Sequence, residues 1–386
     1  MIMNQNQKLL FSHFSKVNKE KWAEKATNDL KGEDVFKKYT WELEPGIHIL
    51  PYYDPSDLQA NAQYEAFHNR LAMPDHPTAN ARVWHNLQHL TVEDEKIANR
   101  EARDALNSGA DGIIFNIPHS VDFKSLLENI KLEHCNISFQ FSRESATDLA
   151  EGLFTFFQSS ALKPEQITGT IELTEGTVNE KLAMFNKFKD YTQFRVLLNE
   201  SKTDTHGFSE SIAAQLKATI QLIEAAQTAG NPLEEVLTKC TVNTSVGPDY
   251  FAEIAKIRAL RMLFFQVARA YDVSTFLPEH VKIRAVSDPW INEAYQPHGN
   301  MLKASTGAMA AILGGCDELL VVPEDNDQSL MVRIARNVSS ILKEEVFLKG
   351  SADPVAGSYY LENLTNDIAQ KAWHIFQSTL EEETVS

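Results

Sequence analysis

From Arg82 onward, short apolar runs of strand length alternate with longer stretches whose apolar residues recur at helical spacing. The strand-like runs are Arg82–Gln88, Gly112–Ile117, Ile137–Phe141, Gly169–Leu173, Phe194–Asn199, Thr241–Ser245, Val281–Val286 and Glu318–Pro323. Helix-like stretches follow them, among them Glu93–Leu106, Ala146–Gln158, Ser209–Ala229 and Tyr250–Tyr271. Strict strand–helix alternation implies a parallel sheet. Eight such units over roughly 270 residues fit a (β/α)8 TIM barrel, an α/β fold. An open doubly wound sheet would usually carry a glycine-rich turn after its first strand, and "WHNLQHLTVED" contains no glycine.

The barrel is placed at residues 81–350, with an arm at 1–80 and a helical segment at 351–386. In the arm, Asn18 is a candidate N-cap for a helix to Lys31. A hairpin turns about Pro45-Gly46, and a polar connector with Pro74 and Pro77 follows. Such an arm is expected to bury Trp22, Trp41, Ile47, Ile49 and Leu50 against a second subunit. The stretch "HGNMLKASTGAMAAILGGCDELLVVPED" reads as the seventh barrel helix and eighth strand. Ala304, Gly307, Ala308, Ala310 and Ala311 are small so that this helix can lie close to the barrel wall, and Gly314-Gly315 ends it.

Composition narrows the function classes. With 36 Lys and Arg against 53 Asp and Glu, the net charge is −17, unsuited to general nucleic-acid binding or to docking on anionic lipid. Three scattered cysteines suggest neither a disulfide framework nor a thiolate zinc site, so the expected compartment is reducing and cytoplasmic. No signal peptide is recognisable, and no uncharged apolar run reaches spanning length.

Strand-end polar residues form the candidate binding set at the barrel mouth: Gln88, His89, Asn116, Gln140, Glu172, Asn199, Asn243 and Arg284. No catalytic residue is assigned. His85 and His89 have the i, i+4 spacing of a zinc pair, but no Glu follows His85 and the segment reads as a strand, so no metal is expected. Asp204-Thr205-His206-Gly207 approximates D-x-H-x-x-G, the cobalt-ligating motif of cobalamin-binding domains, but Ser209 stands where its glycine belongs. Lys282 lies early in its strand, at the wrong end for a Schiff-base lyase.

Several ordered segments resemble the barrel domain of the methylmalonyl-CoA mutase family. "EPGIHILPYYDPSDL" looks like its hairpin arm, and "RVWHNLQ" like its first strand, R-P-W-x-I-x-Q. "DYFAEIAKIRALRMLF" resembles F-F-x-E-I-A-K-x-R-A-x-R, "GAMAAILGG" resembles E-A-M-A-A-x-L-G-G, and "DPVAGSYYLENLT" resembles D-P-x-G-G-S-Y-Y-V-E-x-L-T. Departures from the family pattern imply the subfamily. His89 replaces a radical-steering Tyr. "NESKTDTHGFSES" lacks the G-Y-H-x-x-E-A-G-A run, and Arg284 persists without the Gln-Thr-x-Gly that should follow. No cobalamin domain follows the barrel in this sequence.

The resemblance implies the small, non-catalytic subunit of a two-chain mutase acting in propionate metabolism. Its partner would be a large subunit that binds adenosylcobalamin and interconverts (R)-methylmalonyl-CoA and succinyl-CoA. This chain would have no cofactor of its own and would contact acyl-CoA weakly or not at all, with a weaker homodimer as the alternative assembly when the partner is absent. The alternative is a catalytic acyl-CoA mutase barrel served by a separately encoded cobalamin-binding protein. In catalytic relatives, small polar residues line an open barrel axis. "TVNTS" would suit that, whereas "GIIFN" and "FRVLL" suggest bulkier filling, depending on strand parity.

Overall fold

A computed structural model describes residues 17–58, 83–198, 207–287, 299–351 and 353–385. Its centre is a closed, all-parallel barrel of eight strands. These are β3 (His85–Thr91), β4 (Gly112–Ile117), β5 (Asn136–Ser142), β6 (Gly169–Thr174), β7 (Phe194–Leu198), β8 (Cys240–Val246), β9 (Lys282–Ser287) and β10 (Glu318–Leu320). β10 closes the ring between β9 and β3.

Two strands differ from the sequence reading by three residues, and the others by at most one at either end. β3 starts three residues late because pairing begins where His85 meets Glu318. Trp84, just before it, is buried outside the ring and donates its indole N–H to Ser339 Oγ at 2.9 Å. β10 stops at Leu320, and the Val322 amide donates to the Ser287 hydroxyl of β9 rather than to a strand carbonyl.

The helices after the strands are α3 (Glu95–Asn107), α4 (Phe123–Leu126), α5 (Ala146–Ser159), α6 (Val178–Lys187), α7 (Phe208–Thr228) with the short α8 (Leu233–Thr238), α9 (Tyr250–Ala270), α10 (Gly299–Gly314) and α11 (Ser329–Glu344). The main core fills the layer between strands and helices. Ile113, Phe115 and Ile117, then Ile137, Phe139 and Phe141, and likewise Ile283 and Ala285 all face it. Small residues on α10 do allow a close approach, but at Gly314 the surface met is α9. A Cβ there would lie 2.9 Å from Ile257 Cβ and 3.1 Å from the Ile254 carbonyl oxygen.

The C-terminal helix α12 (Tyr359–Val385) packs on α7 and α9. Arg258 of α9 fixes its start. The guanidinium bonds Asp353 and donates to both Glu362 carboxylate oxygens at 3.1 and 3.2 Å. The family-like segment "DPVAGSYYLENLT" is therefore a clasp around a buried arginine.

The N-terminal arm corrects an expectation. Its helices α1 (Lys19–Asp29) and α2 (Val35–Tyr39) lead into a hairpin of β1 (Trp41–Glu44) and β2 (Ile47–Ile49), turned at Gly46 with φ +86°. Asn18 caps α1 by accepting from the Lys21 amide. Rather than waiting for a second subunit, Ile47 and Ile49 are buried in this chain's own core, at 3% and 6% exposure. Trp22 stacks on Tyr52 within the arm, and Tyr53 contacts Tyr360 of α12. Leu50 is half-buried, and only Trp41 of the named set stays open, at 51% exposure.

Glu44 explains why the hairpin docks here. Its carboxylate sits at the N-terminus of α7, where it accepts from the Ser209 amide at 3.3 Å and from the Ser209 hydroxyl. Lys371 of α12 lies 3.4 Å away. A helix N-terminus favours a negative charge through its unpaired N–H groups and its dipole. Glu44→Ala should therefore cost about 1–2 kcal/mol and loosen the hairpin. Denaturant titration together with limited proteolysis checks this; unchanged stability and cleavage would mean that Glu44 is not the anchor.

Candidate functional site

Strand pairing and burial settle which side chains enter the barrel. Residues on the helix-facing side join the main core, so their alternates point to the axis. Alternate strands contribute successive layers. At the floor, the N-terminal end of the strands, lie His85, Asn136, Arg195 and Lys282. Above them come Gly112, Thr170, Thr241 and Glu318, then Leu87, Ser138, Leu197 and Arg284. Higher are Ile114, Glu172, Asn243 and Leu320, with His89, Gln140 and Val286 nearer the mouth.

The middle of the axis is filled. Leu87, Ile114 and Leu320 pack together with Val286 and Val322 against them. Beside this apolar plug runs a polar network. Arg284 Nε donates to Glu318 at 2.6 Å, and its Nη2 to Thr170 Oγ1 at 2.5 Å and Ser138 Oγ at 3.1 Å. Asn136 Nδ2 donates to the other Glu318 oxygen at 2.9 Å and lies 3.2 Å from His85 Nδ1. Burial alone would raise the Glu318 carboxyl, but the Arg284 guanidinium, with smaller help from His85 and Asn136, holds it below its ordinary value.

The sequence-derived candidates separate on this frame. His89, Asn116, Gln140, Glu172 and Asn243 all face the axis toward the mouth. His89 Nε2 lies 3.4 Å from Gln140 Oε1, and Gln140 Nε2 donates to Glu172 Oε1 at 3.3 Å. Burial pushes the His89 imidazole below its ordinary pKa, favouring its neutral form. The Asn243 amide oxygen is buried with no partner.

Gln88 is a different case. It points outward and accepts from Arg336 of α11 at 2.9 Å. Arg284 is not at the mouth but deep in the plug, and Asn199 lies outside the described residues, as do Asp204, Thr205 and His206. His85 lies at the start of its strand and His89 further along it, separated by the Leu87 layer. Among the described residues no group of three His, Cys, Asp or Glu side chains could hold a metal ion. Lys282 is at the floor, bonded to Asp317 at 3.1 Å.

Asn136, Ser138, Thr170, Arg195, Thr241 and Glu318 were missed because the strand-end criterion ignored mid-strand positions. A signal existed in "NISFQFS". Parallel strands covered on both faces usually read as continuous apolar runs, so a period of two with polar alternates marks an unusual polar lumen.

Arg284→Met should cost about 3–5 kcal/mol by stranding Glu318, and a further Glu318→Leu change should recover most of it. Because the folded Glu318 pKa is depressed, its stabilisation is complete above the unfolded value near 4.5 and is lost as pH falls through the lower folded value. Glu318→Gln should therefore flatten the acid limb of a stability–pH curve, and an unaltered limb would refute the coupling.

A family model described as methylmalonyl-CoA mutase matches residues 207–383. The methylmalonyl-CoA mutase small subunit of Porphyromonas gingivalis is 30% identical over 97% of this chain and 65% of its own length. That of Streptomyces virginiae is 24% identical over 95% of this chain and 64% of its own. The chain thus spans slightly under two thirds of the length of these relatives. The Porphyromonas gingivalis large subunit is 29% identical over 44% of this chain and 24% of its own length. Among the described residues, no helix is long and apolar enough to cross a membrane.

Proposed function

We propose that this chain is a member of the methylmalonyl-CoA mutase family and the non-catalytic small subunit of a heterodimer, stabilising a large catalytic subunit. The complex would interconvert (R)-methylmalonyl-CoA and succinyl-CoA in the cytoplasm. The observation that carries this reading is the filled barrel axis. In catalytic relatives the acyl-CoA arm is expected to run along an open, small-residue axis. Here Leu87, Ile114, Leu197, Leu320 and Arg284 occupy that volume, all of them buried.

Adenosylcobalamin would be held by the partner, where it supplies the radical that starts the rearrangement. The residues present here are a poor match for that work. The radical-steering Tyr of the resemblance is replaced by His89, which is engaged with Gln140. His89, Asn116, Gln140, Glu172 and Asn243 then form a polar cap on a plugged barrel, and at most weak contacts to ligand. The same plug disfavours the alternative, a catalytic barrel served by a separate cobalamin-binding protein. Partner choice draws support from the large-subunit likeness in the organism that also has a similar small subunit.

The test is co-expression with a large mutase subunit, followed by size-exclusion chromatography and turnover assays with added adenosylcobalamin. A 1:1 complex is expected, with no turnover by this chain alone. Activity of the complex should change less than about twofold on His89→Ala, because a group outside the reacting centre supplies no transition-state stabilisation. Turnover by this chain with only a cobalamin-binding protein, or a large loss on His89→Ala, would overturn the reading.

A further inference from the structure

We propose that the floor of the barrel is a binding site for a small oxyanion, phosphate or carboxylate in class, held by Arg195 and Thr241. Arg195 points inward from β7 in the floor layer, one strand from Thr241 of β8, which pairs in register with Leu197. Its guanidinium forms no hydrogen bond with any described residue, and its Nη1 is buried without a partner. The Thr241 hydroxyl, on a residue only 1% exposed, is likewise buried and unpartnered. A guanidinium offers five donors in a planar fork suited to an oxyanion, and buried cations are ordinarily paired.

Nearby carboxylates do not meet this need. Asp317 and Glu318 are close enough to favour the Arg195 charge, but both are committed elsewhere. Asp317 accepts from Arg261 at 2.7 Å, Lys282 at 3.1 Å and the Ile283 amide at 3.0 Å. Glu318 accepts from Arg284 and Asn136. Arg195, Arg261, Lys282 and Arg284 thus face two carboxylates. Lys239, whose ammonium is turned to the Phe188 and Lys189 carbonyls, adds further positive charge beside Arg195, with Asp190 and Glu235 also near it. In a chain of net charge −17, this is a local excess of cation. An anion bridging the Arg195 fork and the Thr241 hydroxyl would satisfy both orphaned groups. Arg195 is only partly buried, so the ion can enter from the floor, and the Leu87–Leu197–Arg284 layer separates it from the mouth.

The test uses the full chain and inorganic phosphate, by thermal melting and calorimetry, against chloride at matched ionic strength. Phosphate should raise Tm saturably by about 2 °C or more. Arg195→Met should melt no lower than the parent in chloride and lose the phosphate response. Surface Arg143→Met should keep it. Thr241→Val should need a several-fold higher phosphate concentration for the same shift, and it tests the site even if Arg195→Met folds poorly. Succinate and ADP separate the sources. A response to phosphate or succinate alone assigns a free anion, a response to ADP assigns a nucleotide phosphate, and either supports the site if Arg195→Met or Thr241→Val weakens it. A response no greater than chloride's, or one equal in parent and both variants, overturns the proposal.

Discussion

The ion pair between Arg284 and Glu318 lies where the barrel closes. It joins β9 to β10, and its hydrogen bonds to Ser138, Thr170 and Asn136 reach β5 and β6 across the axis. Taking two charges out of water is costly, and mutual attraction offsets that only when geometry and remaining hydrogen bonds are complete. Here both Glu318 oxygens are used. A shift in strand register would turn these polar residues into the apolar helix layer, so the pair also fixes which face of each strand looks inward.

That inward face decides what the barrel can do. Barrels of this (β/α)8 architecture carry their chemistry at the C-terminal ends of the strands. The axis here is occupied by leucine and isoleucine side chains on one side and the arginine network on the other. The polar residues at the mouth are held to one another, as His89 to Gln140 to Glu172, above a solid core. A barrel built this way is a filled, rigid body, which is what the proposed non-catalytic role requires.

Two further buried arginines organise the outside. Both are on α9: Arg258 clasps the start of α12, and Arg261 reaches the floor at Asp317 and the Gly315 carbonyl. Helix α12 then meets the N-terminal hairpin through Lys371 and Glu44, so hairpin and helix are tied to one flank of the barrel. The arm is therefore part of the folded unit, while Tyr39 and Trp41 remain half-exposed on its outer face.

The sequence by itself determined the alternation of strands and helices, the hairpin about Gly46 and the cap at Asn18. These depend on local chemistry: hydrophobic period, a glycine at positive φ, and a side chain able to bond its own helix. The ordered motifs likewise carried the family resemblance. Tertiary structure alone decided strand parity, which turned Gln88 away from the axis and placed Arg284 in the plug. It also decided the arm's docking, because Glu44 and Ser209 are far apart in the chain and meet only when α7 packs beside the hairpin. A strand's period of two is visible in one run, but which of its faces is enclosed depends on neighbours that only the closed barrel supplies.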